Sequence, residues 1–273
     1  MKIAVLSGKG GTGKTFFSTN LACAFQKASY IDCDVEEPNG HLFLKPKETQ
    51  LQKVYVKRPV FDEKACNGCK KGVDFCRFNA LIYIKKKPIV FTEVCHACGG
   101  CSLVCPEHAI QEENREIGHV EVGKHKDVTC ITGYLNPGEA SGIPVIQKAL
   151  GQKNTSIAII DCPPGSACSV MESVMNADVC VLVAEPSAFG FHNFKMVYEL
   201  VTLLKKPCKV VMNKIVEPYP PLLDFCTEHH VDILAKIPYS KELATCMANS
   251  DLAYENIPEM KTLFDSLVKE LTV

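Results

Sequence analysis

The sequence carries almost no surplus of charge, with 30 Lys and Arg against 31 Asp and Glu in 273 residues. That balance gives no blanket attraction to nucleic acid or to an anionic membrane surface, so neither is expected as a partner. No apolar run approaches the roughly 20 residues that cross a bilayer. Met1 leads straight into Ile3-Ala4-Val5-Leu6 rather than into a leader, and a cytoplasmic location is expected. Low-complexity tracts and long linkers are missing as well. The chain therefore reads as one large domain, or one domain carrying an insertion, with ample core. Its excess is in cysteine, at 16 residues. Without an export signal, metal ligation accounts for that number better than disulfides do.

The rest is organised around Ser7-Gly8-Lys9-Gly10-Gly11-Thr12-Gly13-Lys14-Thr15, which follows the apolar run and precedes apolar residues at helical spacing. Strand, Gly-rich loop and helix in that order are what a G-x-x-x-x-G-K-[ST] phosphate loop requires. Glycine lets consecutive backbone N–H groups curl round a phosphate, and the helix N-terminus adds its positive end. Residues 8–15, with Phe16 beside them, form the expected nucleotide cradle. Lys14 is expected on the β- and γ-phosphates and the Thr15 hydroxyl on Mg²⁺. A tight turn that merely contains glycines is the bland alternative.

Buried parallel strands are expected at 2–7, 30–34, 156–161, 179–183, 209–212 and 231–235, with helices at 14–27, 139–150, 190–204 and beyond 240. Residues 116–135 read as short strand pieces broken by glycine. Strands alternating with helices imply an α/β, doubly wound, mostly parallel sheet with ligands at the strands' C-terminal ends. Asp161 closes an apolar strand, as a Mg²⁺-reaching aspartate must. Cys, Gly and Lys crowd the chain from about 56 to 113. The expected division is an ATPase part at 1–55 and 116–273 and an inserted part at 56–115.

That insert holds Cys95-x2-Cys98-x2-Cys101-x3-Cys105-Pro106, a complete bacterial-ferredoxin run. In two-cluster ferredoxins the fourth cysteine of such a run ligates the other cluster. The partner run is Cys66-x2-Cys69 followed by Cys76, but its third cysteine would fall at Gly72. Crossed ligation then assigns Cys76, Cys95, Cys98 and Cys101 to a full 4Fe–4S site. Only Cys66, Cys69 and Cys105 remain for a second, incomplete site, holding a 3Fe–4S or labile 4Fe–4S cluster or nothing. Asp74 is the nearest oxygen donor and reads better as a surface residue. A zinc ribbon is the rival reading. His96 and His108 are expected to shield rather than ligate, and Lys85-Lys86-Lys87 to form a hairpin tip.

With Lys9, the loop reads KGGTGKT and resembles the deviant Walker A of the MinD/ParA/Mrp/nitrogenase-iron-protein ATPases. In that family the additional lysine reaches across a dimer to the partner's phosphates; a solvated loop lysine is the alternative. Asp32 and Asp34 resemble the family's D-x-D switch I, which implies that Asp34 positions the attacking water and Asp32 assists near Mg²⁺. Asp161-Cys162-Pro163-Pro164-Gly165 resembles its switch II. Asn213 resembles the strand-end residue that reads adenine, and Pro238 the segment that packs on the base. Guanine recognition would need a carboxylate where Val216 stands. The whole chain is similar to MinD-superfamily P-loop ATPases with an inserted ferredoxin domain. The resemblance implies an ATPase, slow and partner-stimulated, that forms a homodimer on ATP and gates electron transfer to a redox or iron–sulfur client. A cluster-assembly carrier and a redox-sensing positioning switch are the alternatives. Catalysis would fall to Lys9, Lys14 and Asp34. The insert would tie to switch I at one end and approach switch II at the other. Cys162 and Cys168 are weighed as ligands of a cluster shared between subunits. The remaining cysteines (Cys23, Cys33, Cys130, Cys180, Cys208, Cys226 and Cys246) read mostly as small buried hydrophobes.

Overall fold

Along the chain the strands are β1 (Lys2–Leu6), β2 (Ala28–Asp32), β3 (Lys47–Phe61), β4 (Leu81–Ile84), β5 (Lys87–Val90), β6 (Ile110–His125), β7 (Val128–Leu135), β8 (Ile157–Asp161), β9 (Val179–Ala184), β10 (Cys208–Ile215) and β11 (Ile233–Pro238). The computed structural model describes residues 1–85 and 87–272. Nine strands form one sheet in the order β11-β10-β9-β1-β8-β2-β7-β6-β3, and β4 pairs with β5 separately. From β11 to β7 all neighbours are parallel; β6 and β3 add an antiparallel edge.

The central strands are apolar on both faces because both faces are covered. Alternate residues of one strand enter different cores: Ala4, Leu6, Ile31 and Ile160 on one side, Ile3, Val5, Tyr30 and Ile159 on the other. Helices Ile143–Leu150 and Ala188–Leu203 cover the first face. Helices Lys14–Ala24 and Pro258–Thr272 cover the second, where Phe264 packs on Phe16 and Phe17.

Residues 47–61 and 110–125 depart most from the sequence reading. They pair from Lys47 opposite Lys124 out to Phe61 opposite Ile110. The Lys47–Val54 and Gly118–His125 half of the ribbon lies in the main sheet beside β7, and from Tyr55 to Phe61 the pair runs on alone, roughly 23 Å at about 3.3 Å per residue. The expected boundaries at 55/56 and 115/116 fall inside β3 and β6. The short pieces expected at 116–135 are two continuous strands. Gly118 is there because a Cβ would stand 2.1 Å from the Tyr134 carbonyl oxygen of the neighbouring strand. At the ribbon's far end sit the β4–β5 hairpin and helices Lys71–Phe75 and Gly100–Leu103, around a small core of Leu81, Cys101 and Ile110. The expected tip at 85–87 joins β4 to β5, with Lys86 outside the described residues. The ribbon returns through β7, which lies beside β2. The ribbon leaves the sheet at Val54 and Gly118, the latter opposite Leu135, whose N–H donates to Val35, so both strands of the insert depart beside switch I, and β7 and β2 lie between them and β8, the strand that leads to switch II.

Candidate functional site

The loop after β1 delivers the chain into helix Lys14–Ala24 through Gly13, whose φ of 95° is a left-handed conformation that favours glycine. A Cβ there would also meet the Asn213 amide at 2.1 Å. Two side chains from the end of β10 brace the loop from behind. Asn213 Nδ2 donates to the Thr12 carbonyl at 2.8 Å and Lys214 Nζ to that of Gly11 at 2.6 Å. Thr12 Oγ1 is buried without a hydrogen-bond partner, an orphan that a ligand acceptor at the loop would satisfy.

Lys14 is buried and lies on Asp161 Oδ1 at 2.6 Å, with Asp34 Oδ2 at 3.9 Å. Burial opposes its charge, but Asp161 more than offsets this, with help from Asp32 and Asp34, so its pKa is raised. Asp32 and Asp161 end the adjacent strands β2 and β8 in register. The fully buried Tyr30 hydroxyl bridges them, donating to Asp161 Oδ2 at 2.8 Å with Asp32 Oδ2 at 3.4 Å. Burial, then the charge of Asp161, pushes the Asp32 carboxyl up to about 7, although the Asp34 and Gly40 N–H groups donate to it. Asp34 is raised to about 6, first by burial, while Lys14 pulls the other way. Three carboxylates and one ammonium thus crowd the strand ends, a surplus of negative charge suited to a cation.

Lys9 Nζ reaches Glu185 Oε2 of its own chain at 2.9 Å and lies over the Phe189 ring at 5.1 Å. Beside the loop a cleft of about 410 Å³ is lined by Phe16, Asn213, Pro238, Tyr239 and Leu243, so the two residues assigned to the base, Asn213 and Pro238, share one cleft with Phe16 of the expected cradle.

At the ribbon's far end the cysteines divide between two cavities. Cys76, Cys95, Cys98 and Cys101 line one of about 240 Å³, with Phe75, Phe78 and Leu81. Cys66, Cys69 and Cys105 line the other, about 30 Å³, with Gly72 at its wall. Each set takes one cysteine from the other run, the crossed arrangement that the spacing implied. No three of these sulfurs lie within 4.8 Å of one another among the described residues. His96 stacks on Phe78 at 4.0 Å between centroids. Asp74 is exposed and is not in the wall of the second cavity. Cys162 is wholly buried in the sheet core and only Cys168 is exposed, so the two do not present a joint surface site.

Sequence reasoning missed Tyr30, Glu185 and Lys214, and also Arg58 and Glu139, which join the ribbon to the sheet. Tyr30 had one signal, a phenol two residues before a strand-end aspartate and so on the same face. Glu185 and Glu139 had none, because their partners are remote in sequence.

The profile of the CobQ/CobB/MinD/ParA nucleotide binding domain matches residues 3–253. The chain belongs to this family of P-loop proteins. It is 30% identical over 260 residues to the uncharacterized protein MJ0579 of Methanocaldococcus jannaschii, covering 92% of this chain and 90% of that one. The uncharacterized protein MJ0578 of the same organism is 32% identical over 220 residues, 78% of each chain. In fold the chain is similar to MinD of Pyrococcus horikoshii, solved with Mg-ADP, at a TM-score of 0.60, 17% identity and coverage of 99% and 95%. It is also similar to the ATP complex of a Cyanothece McdA variant, at 0.59, 14% identity and coverage of 100% and 96%.

Proposed function

We propose that this protein is an ATP-binding and hydrolysing dimeric switch whose nucleotide state gates iron–sulfur electron transfer to a partner protein. The observation that carries the iron–sulfur half is the crossed division of seven cysteines into sets of four and three. The orphaned Thr12 hydroxyl, the brace from Asn213 and Lys214, and the adjoining cleft fit a nucleotide at the loop. Thr15, Asp32 and Asp161 would hold Mg²⁺, which would neutralise charge on the phosphates. Lys14 then leaves Asp161 for the β- and γ-phosphates. Asp34 orients the attacking water, and Lys9 leaves Glu185 to reach the phosphates of a second copy. Adenine occupies the Phe16–Asn213–Pro238 cleft. A four-cysteine set suits a 4Fe–4S cluster, and a three-cysteine set leaves one iron corner without a protein ligand. The half-exposed Cys66 and exposed Cys69 favour cluster delivery as the second reading, since that iron is within reach of a client.

The test is iron analysis and EPR of the anaerobically purified protein, with and without Mg-ATP. About seven irons and a cluster signal that Mg-ATP alters in the wild type but not in Lys14→Ala support the gate. Spectra indifferent to Mg-ATP, with iron passing readily to an apoprotein, move the assignment to delivery; no iron at all removes both.

A further inference from the structure

At the end of the sheet opposite the phosphate loop, three side chains from three separate elements converge. Cys23 lies in the last turn of helix Lys14–Ala24, His125 ends β6, and Glu255 lies on helix Ala253–Asn256. The Cys23 sulfur, a His125 ring nitrogen and a Glu255 carboxylate oxygen all lie within 4.8 Å of one another. They share the wall of a cleft of about 360 Å³ with Asp127. We infer that Cys23, His125 and Glu255 form a binding site for one divalent transition-metal ion of zinc-like preference, with the cleft supplying an open fourth position.

The donor set is the first argument. One thiolate, one imidazole and one carboxylate match the three-protein-ligand tetrahedral pattern, and soft sulfur selects against Mg²⁺ and Ca²⁺. Geometry is the second. His125 Nε2 stands 3.3 Å from Glu255 Oε1. Two ligands at ~2.1 Å from a tetrahedral ion are themselves about 3.4 Å apart. That pair is already at the edge length of a coordination tetrahedron.

The backbone, thirdly, places each donor independently of a metal. Asn20 and Cys23 are three apart on one helix face. Asn20 Oδ1, buried, accepts from the Tyr254 N–H at 2.6 Å, which sets Glu255 against Cys23. His125 is held by its register opposite Val128 across the β6–β7 turn. In that turn Lys126, at a φ of 51°, lays its ammonium on Glu255 Oε1 at 2.5 Å. A cation therefore already sits on the oxygen that faces His125. Lys126 is 66% exposed, free to swing into solvent when a divalent ion replaces it. Such an ion would staple the base of the ribbon to the helix that begins at Lys14, about 14 Å from Lys14 along the helix axis.

Cobalt(II) titration of the anaerobically purified full chain tests the site, followed by the thiolate-to-cobalt charge-transfer band and the number of tight equivalents. The wild type should bind one equivalent that Cys23→Ser and His125→Ala both lose, whatever else binds at the ribbon tip. Glu255→Gln should weaken that equivalent at least about tenfold, no less than loss of an outer-shell partner does. Lys126→Ala should tighten it roughly two- to fivefold, the value of an exposed ion pair. His125 is only partly buried, so His125→Ala tests the site even if Cys23→Ser misfolds. Titrations of wild type, His125→Ala and Glu255→Gln that superimpose would overturn the assignment, as would weaker binding by Lys126→Ala. The site shares no residue with the phosphate loop or the cysteine cavities, so it stands or falls separately from the proposed function.

Discussion

Arg58 and Glu139 form a buried ion pair, Nη2 to Oε2 at 2.7 Å, that joins the cysteine-bearing end of the ribbon to the nucleotide end of the sheet. The other Arg58 amino group donates to the carbonyl oxygens of Thr92 and Cys95, and Cys95 lines the four-cysteine cavity. Glu139 also takes Arg115 at 2.8 Å and follows Leu135 by four residues. The Leu135 N–H donates to Val35, the neighbour of Asp34. A shift of switch I therefore has a short, hydrogen-bonded route to the loop that carries Cys95.

Removing one member of such a pair leaves an uncompensated buried charge. Glu139→Gln is expected to cost about 3–5 kcal/mol in denaturant unfolding. Arg58→Met with Glu139→Leu together should cost clearly less than the sum of the single changes. If the route carries the nucleotide signal, the double variant should hold its four-cysteine cluster yet lose the Mg-ATP effect on EPR. A double variant with an undiminished effect sends the signal elsewhere.

Lys9 is occupied within its own chain, by Glu185 at 2.9 Å and by the Phe189 ring. Dimerisation through Lys9 must first break those contacts. Glu185→Gln should therefore shift the ATP-dependent dimer to lower protein concentration, roughly two- to fivefold for a half-exposed pair. Lys9→Ala should retain nucleotide affinity but stay monomeric, and Asp34→Ala should hold the ATP-bound dimer. Sedimentation with and without Mg-ATP separates these outcomes, and equal mass throughout removes the clamp.

The carboxyl of Asp32, raised to about 7 from an ordinary 3.8, ties stability to pH in the nucleotide-free protein. The folded state keeps a proton there that the unfolded chain has already released. The resulting stabilisation is full below about pH 4, is lost as pH rises towards about 7, and is level above that. Asp32→Asn removes the charge, so the stability difference between variant and wild type should move in the variant's favour over that interval. Unfolding midpoints at several pH values give the comparison, and parallel curves would mean that Asp32 ionises normally.

Much of this was legible because the chemistry is local in sequence. The phosphate loop lies within nine residues and each cysteine run within eleven, so spacing alone was enough to single out Lys14, which the fold sets on Asp161, and to divide the cysteines as the two cavities do. The ends of β2 and β8 were readable from apolar runs that stop at aspartate, and that of β1 from the Gly-rich loop that follows it. The long ribbon was not, because β3 is mostly exposed and polar between Lys47 and Lys53 and has no buried-strand signature. Its strands exist through pairing with each other, a contact between residues as distant as Lys47 and Lys124. The same holds for Arg58 with Glu139 and for Cys23 with His125 and Glu255, where the fold alone brings distant positions together.

Gly72 decides whether the three-cysteine site is specialised or merely damaged. It lies in helix Lys71–Phe75 without a left-handed φ, so the backbone does not require glycine there. A Cβ would meet Ile110 Cδ1 at 3.2 Å and Cys101 Cβ at 3.7 Å, a tight but yielding fit. Gly72→Cys should thus fold and supply the missing ligand, raising iron from about seven to about eight atoms per chain with loss of any 3Fe-type EPR signal. The 3.7 Å separation has a second consequence, since it lies within the Cβ–Cβ range of a disulfide. Prepared in air without iron, the variant should cross-link the introduced thiol to Cys101 and lose the four-cysteine cluster. Prepared anaerobically with iron, Cys101 is committed to its own cluster and the introduced thiol is left for Cys66, Cys69 and Cys105. Mass spectrometry reads the cross-link and iron analysis the cluster. Eight chelator-resistant irons already in the wild type would mean that an outside ligand completes the site, and Gly72→Cys would then change nothing.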